Sequence, residues 1–410
     1  MKIIGQCDIK EIAEMYGTPL YVYDKQQIIS NYNKLKTAFR KHYTKTEIHY
    51  AVKANSNIHL LELFNELGSG VDCSSPIELF LAKKAGFDRS NIMYTGNYES
   101  IDELKFVIAE DVIINLDDIN SLKRLLRFHT PERVSFRINP GIGRGGFEGI
   151  VTAGSDAKFG VPYEKGYEAY KMAKDAGVKH FGIHMMTGSN NLEPYHFVEI
   201  VDKLMNIAGD IFTKLEIVPD YIDIGGGFGI PYTDEEEDLN IELTAKLVCE
   251  IFHEKCEKYN FGEPHLKLEP GRYLVGNAGY LITEVTGIKE SYKTFVGVNG
   301  GMNTLLRPSL YGAFHRAYVY GDKANSNYVN LCGQICENSD IFARHLHFPE
   351  VEEGDLVILR DVGAYGYVMA SNYNNRLRPA EVFVDGNTAS LIRRKEKIED
   401  ILNLYEENSL

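Results

Sequence analysis

The sequence has no apolar run that approaches the roughly 18 residues of a membrane-spanning helix. Its first eight residues carry charge and polarity where a secretion signal needs an unbroken apolar stretch, which predicts a cytoplasmic protein. Basic residues are in deficit, since 44 lysines and arginines face 58 aspartates and glutamates, for a formal net charge of −14. A nucleic-acid-binding protein needs a basic face, so this class is disfavoured.

Cysteine is also scarce. Six cysteines are scattered over 410 residues, and no two of them are separated by just two residues, which argues against a disulfide framework or a zinc ribbon. We therefore expect no metal. With 44% apolar and 25% charged residues, the composition is that of a soluble globular protein with a large core, and the length suggests two domains.

β-rich runs alternate with helical patterns over the first two-thirds of the chain. The predicted strands are Glu47–Val52, Gly70–Cys73, Asn91–Thr95, Val112–Asn115, Arg133–Ile138, His180–Met185, Pro219–Ile224 and His265–Glu269. The stretches between them carry apolar residues at three- and four-residue spacing. Eight such repeats predict an α/β fold, a parallel (β/α)8 TIM barrel over residues 30–275. A doubly wound open sheet is the alternative, but it usually has fewer strands.

The pattern changes to β-like runs and loops after Arg272. These runs predict an all-β, Greek-key-like domain over residues 276–410. The strand-like segment Pro19–Tyr23 precedes the barrel and is expected to join this sheet, which would add residues 1–29 to the domain.

Chemically distinctive residues follow the predicted barrel strands repeatedly, at the ends where barrel enzymes place their active sites. Each motif alone could be structural, and a lysine at a strand end is more often a solvated cap. Their shared register nevertheless favours an active site. The motifs are Lys53, Asp72, Gly96-Asn97, Arg137, His184 to Ser189, Asp223 to Gly227, and Glu269 to Arg272.

Two of these motifs together indicate a phosphate site. Gly225, Gly226 and Gly227 would let backbone N–H groups approach an anion, although a tight turn is the plainer interpretation. Gly271 and Arg272 on the next strand would add amides and a guanidinium. Lys53, whose amine can bond covalently to an aldehyde, combines with such a clamp to indicate pyridoxal 5'-phosphate. Glu269 would then pair with the cofactor's ring nitrogen rather than form a surface salt bridge.

The chain resembles the fold-type III pyridoxal-phosphate decarboxylases, most closely those that act on diaminopimelate. The resemblance covers residues 19–385 and rests on YAVKAN at 50–55, GVDCSSPIE at 70–78, GGGFGIPY at 225–232, EPGRYLVGNAG at 269–279, GMNTLLRPSLYGAFH at 301–315 and GQICENSD at 333–340.

The resemblance implies a role for each site residue. Lys53 would hold the cofactor, Glu269 would face its ring nitrogen, and Asp72, Arg137, His184 and Met186 would lie around it. Cys336 would return a proton to the α-carbon after carbon dioxide leaves, and a buried structural cysteine is the alternative. Cys336 and Glu337 would come from the partner subunit of an obligate homodimer with shared active sites. The phosphate would be bound by Ser189, Gly225, Gly226, Gly227, Gly271, Arg272 and Tyr365, and the substrate by Arg272, Arg307, Tyr311, Glu337 and Tyr365.

The expected reaction converts meso-2,6-diaminopimelate to L-lysine and carbon dioxide. Arg307 and Tyr311 resemble the element that grips the substrate's distal carboxylate, although Arg307 could instead be a dimer-interface residue. Met186 stands where the family usually has a histidine that stacks on the cofactor, and Gln334 where it usually has proline. These departures keep lysine, ornithine or a carrier-bound acyl amino acid open as substrates.

Two further hypotheses concern activity and access. A non-catalytic homologue that binds the cofactor is disfavoured, because it would normally lose the lysine or the acid. The Gly-rich stretch Gly141–Gly154 is predicted to form a mobile lid.

Overall fold

The computed structural model describes residues 1–141, 153–154, 156–321 and 323–405, and the chain divides into two compact units. The first, called the barrel unit, contains Asn31–Pro231 and Glu237–Leu274. The second, called the β unit, contains Met1–Ser30, Tyr232–Glu236 and Val275–Leu410. Most of the predicted lid, residues 142–152, lies outside the described residues.

The barrel unit is a closed barrel of eight parallel strands, so the TIM-barrel prediction is confirmed and the open sheet is excluded. Strand β8 pairs with β1 through Leu266↔Thr46 and Leu268↔Ile48, which closes the cylinder. The strands are β1 (Thr46–Ala51), β2 (Gly70–Cys73), β3 (Ile92–Tyr94), β4 (Ile113–Leu116), β5 (Arg133–Phe136), β6 (His180–His184), β7 (Tyr221–Asp223) and β8 (His265–Leu268).

Helices follow the strands, and their starts are encoded locally. The side chains of Asn57, Ser75, Ser100 and Asp118 each accept a backbone N–H of the first turn, which satisfies donors that a helix start leaves open. The helices are Lys25–His42, which begins in the β unit, and Ile58–Glu66, Pro76–Lys84, Ile101–Ala109, Ile119–Leu125, Gly166–Asp175, Pro194–Leu215, Ile241–Tyr259 and Arg272–Val275. Among the described residues, no helix is both long and apolar enough to cross a membrane.

Ionic side chains fill the amino-terminal end of the barrel interior. Lys267 on β8 is buried, and its Nζ donates to Glu47 Oε2 at 2.6 Å and to His49 Nε2 at 2.8 Å. His265 Nδ1 lies 2.7 Å from the other Glu47 oxygen. A buried charge is tolerated only when it is paired in this way, so this cluster has a structural explanation.

The β unit contains a nine-stranded sheet. Leu20–Asp24 lies inside it, antiparallel to Gly279–Glu290 and parallel to Ala380–Asp385. Ile9, Ile12, Leu20, Ile282 and Val382 belong to the core beneath it. The other strands are Thr294–Val298, Ala317–Val319, Asn325–Cys332, Ile341–Pro349, Leu356–Arg360 and Thr388–Arg393, with a separate pair, Ile3–Ile4 and Cys7–Asp8, and helices Ile9–Tyr16, Arg307–Tyr311 and Ile398–Leu402.

One boundary differs from the predicted one. The sequence placed Tyr232–Glu236 in the barrel, but this segment belongs to the β unit. The reason is local pairing: Asp234 accepts from Arg316 Nε at 2.9 Å, and the Tyr232 ring packs edge-on against His315 at 5.4 Å.

Candidate active site

Lys53 lies in a single 3₁₀ turn, Val52–Ala54, immediately after β1. Its Nζ donates at 2.7 Å to Oδ2 of Asp72, which lies on the neighbouring strand β2. Asp72 is fully buried, whereas the Lys53 side chain is 42% exposed. The amine is therefore partly solvated, and a buried carboxylate orients it.

Three buried titratable groups gather at the ends of β6, β7 and β8. His184 Nε2 lies 3.1 Å from Glu269 Oε2, and Asp223 lies on the strand between them. Burial opposes ionisation of Glu269, but the hydrogen bond from His184 and the positive charge of Lys53 lower its pKa. Burial and the charge of Glu269 raise the pKa of Asp223. Glu269 is thus the carboxylate of this pair that stays ionised.

These three side chains are of types that bind metal ions elsewhere, but the hydrogen bond between His184 and Glu269 argues against a metal here. Their ligand atoms lie within 4.8 Å of one another. His184 Nε2 is already hydrogen-bonded to Glu269, however, so a metal would have to displace that bond.

The glycine run after β7 forms a concave stretch of backbone beside β8. A Cβ on Gly226 would lie 2.3 Å from the Glu269 carbonyl oxygen, and one on Gly225 would lie 2.5 Å from that of Met185. Gly225 also has a φ of +69°. Only glycine fits both positions, because a side chain would collide with backbone. The run is therefore more than a tight turn, since it brings bare backbone into the site.

Polar and soft side chains lie next to this backbone. Arg272 is buried, and its guanidinium donates to Ser189 Oγ at 3.3 Å. The Gly226 N–H donates to the Met186 sulfur at 3.3 Å. Met186 therefore directly contacts the glycine run where the family usually has histidine.

Arg137, at the end of β5, stands among acidic residues. Its guanidinium lies 4.5 Å from the Phe159 ring centroid. Burial lowers its pKa, although the carboxylates of Asp117, Glu269 and Asp72 oppose that effect. Arg137 thus balances the negative charge at this end of the barrel.

Comparison with known proteins decides the family. The model of the pyridoxal-dependent decarboxylases, pyridoxal binding domain, matches residues 25–276. The chain belongs to this family. It is a pyridoxal-phosphate-dependent decarboxylase, a carboxy-lyase, as the motifs predicted.

Related proteins align with this decarboxylase over nearly its whole length. It is 44% identical to diaminopimelate decarboxylase of Methanothermobacter thermautotrophicus, over 98% of this chain and 94% of that protein. The Thermoplasma acidophilum enzyme of the same name is 36% identical, over 97% and 96%. The crystal structure of diaminopimelate decarboxylase from Helicobacter pylori complexed with L-lysine superposes with a TM-score of 0.90 at 33% identity, covering 98% of this chain and all of that one.

The barrel residues of the decarboxylase fit pyridoxal phosphate. Within the described part of the chain, Glu269 Oε1 is buried and has no hydrogen-bond partner. Buried polar atoms are rarely left in this state, and a protonated ring nitrogen would supply the missing donor. The bare backbone of the glycine run, with Arg272 and Ser189 beside it, suits a phosphate. The site therefore offers a carboxylate to the cofactor's ring nitrogen, and backbone with a guanidinium to its phosphate.

The remaining predicted residues lie in the β unit. Arg307 is 2% exposed, with its guanidinium 4.8 Å from the Tyr232 ring centroid and Nη1 2.8 Å from His315 Nε2. Ser309, between Arg307 and the half-buried Tyr311, donates to the carbonyl oxygen of Ser339 at 2.6 Å. That bond connects the Arg307–Tyr311 helix to the loop of Cys336.

The Cys336 loop exposes its predicted functional groups. The Cys336 thiol is free and exposed, and its backbone N–H donates to Asn374 Oδ1 at 2.8 Å. Glu337 is also exposed, with Tyr373 Oη 3.5 Å from its carboxylate. Tyr365 is half-buried with a φ of +57°. Both loop side chains can therefore be reached from solvent in this unit.

Sequence reasoning missed three polar residues near the site. Asn115 and Ser135 are fully buried inside the barrel, and Asp117 follows β4. Asp117 accepts from the Gly160 N–H at 3.0 Å and from Asn97 Nδ2 at 2.7 Å. The available signal was a polar residue within an otherwise apolar strand, as in Ile113-Ile114-Asn115-Leu116.

Proposed function

We propose that this decarboxylase converts meso-2,6-diaminopimelate to L-lysine and carbon dioxide in the cytoplasm. The observation that carries the proposal is its 34–44% identity, over nearly its full length, to several diaminopimelate decarboxylases. Solved structures of two such enzymes contain L-lysine, the product of that reaction.

In this proposal, barrel side chains hold the cofactor at both ends. Lys53 Nζ, oriented by Asp72, would hold the cofactor covalently. Glu269 Oε1 would accept a hydrogen bond from the protonated ring nitrogen. Pyridoxal phosphate supplies the electron-withdrawing ring that decarboxylation requires. His184 holds the other oxygen of Glu269, and Met186 covers the ring by dispersion.

The phosphate is bound by backbone donors and one cation. Gly225, Gly226, Gly227 and Gly271 line the phosphate with bare backbone, while Arg272 and Ser189 contribute side chains. The Gly225 N–H stays bonded to Asp223, and the Gly226 N–H would exchange the Met186 sulfur for the phosphate. We also assign the phenol of Tyr365 to the phosphate. The close approach of Gly226 to the Glu269 carbonyl oxygen, which any Cβ would prevent, supports this arrangement because it keeps bare backbone beside Glu269.

The proton that replaces carbon dioxide comes from the Cys336 thiol in this scheme. A positioned thiol is an acid that can deliver a proton to a carbanion. Glu337 next to it contacts the substrate. We place both residues in the active site of a partner subunit, so that the enzyme is a homodimer with shared sites. Their exposure on the β unit supports this arrangement.

The substrate's distal carboxylate is bound by Arg307, with Tyr311 and Arg272 beside the substrate. Arg307 is desolvated and held by His315, so little conformational entropy is lost when it binds an anion. An enzyme for lysine or ornithine would need an acidic group at this position to bind the distal ammonium. Because Met186 stands where the family usually has histidine, lysine and ornithine are included in the test as alternative substrates.

The test is carbon dioxide release by purified holoenzyme from meso-diaminopimelate, lysine and ornithine, with product identification. We expect turnover of diaminopimelate to lysine alone. Arg307→Leu should lower kcat/KM for diaminopimelate by roughly 100-fold, because it removes charge-assisted hydrogen bonds. Arg344→Leu, which removes an exposed arginine of the same unit, is the matched control. A coloured holoenzyme that does not turn over diaminopimelate would reject the proposal.

A further inference from the structure

A continuous chain of hydrogen bonds crosses the barrel interior from Tyr221 to Glu269. The Tyr221 phenol donates to Ser135 Oγ at 2.8 Å, and Ser135 Oγ donates to Asn115 Oδ1 at 2.8 Å. Asn115 Nδ2 lies 2.9 Å from His184 Nδ1, and His184 Nε2 lies 3.1 Å from Glu269 Oε2. All five side chains are at least nine-tenths buried. This hydrogen-bond chain contains one residue from each of the five strands β4 to β8, counting Glu269 at the end of β8.

The donors and acceptors give this chain a direction. Burial raises the pKa of Tyr221, so its phenol carries a proton and donates it. The hydroxyl of Ser135 accepts from Tyr221 and donates to Asn115 Oδ1. That oxygen faces Ser135, so the amide nitrogen of Asn115 faces His184. An amide nitrogen only donates, and His184 Nδ1 must therefore be free of a proton.

The tautomer of His184 follows from this order. With Nδ1 accepting, the single ring proton lies on Nε2, where it points at Glu269 Oε2. Burial and the charge of Arg137 oppose a second proton on the ring, whereas Glu269 and Asp223 favour one strongly enough to raise the pKa of His184. Asn115 occupies the only nitrogen that such a proton could reach. The ring then donates one hydrogen bond to Glu269 without adding a positive charge beside it.

We propose that Asn115 is a positioning residue that keeps His184 neutral and thereby reserves the charge of Glu269 for the cofactor's ring nitrogen. An imidazolium at position 184 would compete with that nitrogen for the same carboxylate. The inference rests on the placement of the cofactor against Glu269 given above, and it assigns a function to a buried amide that contacts neither cofactor nor substrate.

The first experiment observes the tautomer directly in the cofactor-free enzyme. Histidine side-chain ¹⁵N NMR, with the His184 signals assigned through His184→Gln, should show one protonated and one unprotonated ring nitrogen in the wild type. Asn115→Asp replaces the donor by a carboxylate, and both nitrogens should then be protonated. Thr95→Val is the matched control. It removes the other, longer contact of the Asn115 amide, at 3.3 Å, and should leave the signals unchanged.

The second experiment measures cofactor affinity by absorbance titration of the cofactor-free variants. Asn115→Asp should weaken pyridoxal phosphate binding by about tenfold or more, the scale of one charge-assisted hydrogen bond. Thr95→Val should stay within about twofold of the wild type. A doubly protonated His184 in the wild type would overturn the proposal even if Asn115→Asp does not fold, and so would unchanged affinity in a folded Asn115→Asp. A wild type that takes up no cofactor would instead refute the cofactor placement.

Discussion

Replacing Glu269 by glutamine tests the central ionic contact of the site. The substitution keeps the shape of the side chain and removes its charge. Glu269 is 4% exposed in its side chain, with His184 on one oxygen and no partner among the described residues on the other. The variant therefore removes the negative charge that Glu269 Oε1 presents to a protonated ring nitrogen.

The size of the effect follows from the burial of the pair. Removing one partner of a buried ionic pair costs about 3–5 kcal/mol, because the other charge is left without compensation. With about 1.4 kcal/mol for each factor of ten, Glu269→Gln should lower kcat by between roughly 10² and 10⁴. The cost falls on kcat because the protonated ring nitrogen matters most while negative charge develops on the substrate.

The assay is kcat for carbon dioxide release at saturating substrate and cofactor, together with the absorbance spectrum of the holoenzyme. Glu47→Gln is the matched control. Glu47 is another barrel-interior carboxylate that contacts both a lysine and a histidine, but it lies at the amino-terminal ends of the strands. Glu47→Gln should lower the free energy of unfolding and leave kcat within about threefold of the wild-type value. If Glu269→Gln also keeps kcat within threefold, the pairing of Glu269 with the cofactor is refuted.

Three further variants test separate features. Burial raises the pKa of Asp117 from 3.8 to about 6, so the folded state binds this proton more tightly than the unfolded state and stability falls as pH rises from about 4 to 6. Asp117→Asn should therefore stabilise the protein at pH 7 by up to about 3 kcal/mol in urea unfolding, with no gain below pH 4. Cys336→Ala should keep the holoenzyme colour but lower kcat by about 10²- to 10⁴-fold, and full activity would contradict its role as proton donor. Met186→Ala should weaken cofactor binding by roughly 2- to 10-fold in an absorbance titration, whereas Met186→Leu should not if dispersion rather than sulfur chemistry covers the ring.

The barrel could be predicted because each strand is short, apolar and bounded by its own turn signals. The eight predicted strands all occur, with ends shifted by one or two residues. The end of the barrel that carries the site could also be predicted, since parallel strands bring their carboxyl ends together. Lys53, His184 and Glu269 each lie at the end of a predicted strand, and the family resemblance singled out the same three residues.

The contacts within the barrel could not be predicted. Which strand faces which across the interior depends on the stagger of the closed sheet, and sequence spacing does not encode it. Asn115 and Ser135 read as isolated polar residues in apolar strands until the structure joined them to Tyr221 and His184.

The two ends of the barrel interior differ in how their carboxylates are satisfied, and this difference separates structure from function. At the amino-terminal end, Glu47 has a partner on each oxygen. At the carboxyl-terminal end, Asp72, Asp223 and Glu269 each leave one buried oxygen without a hydrogen bond among the described residues. Each such atom costs about 1–3 kcal/mol, which folding alone gives no reason to retain. A cofactor with hydrogen-bond donors of its own removes part of this cost. Cofactor binding therefore explains why the carboxyl-terminal end of the barrel keeps these unsatisfied carboxylate oxygens.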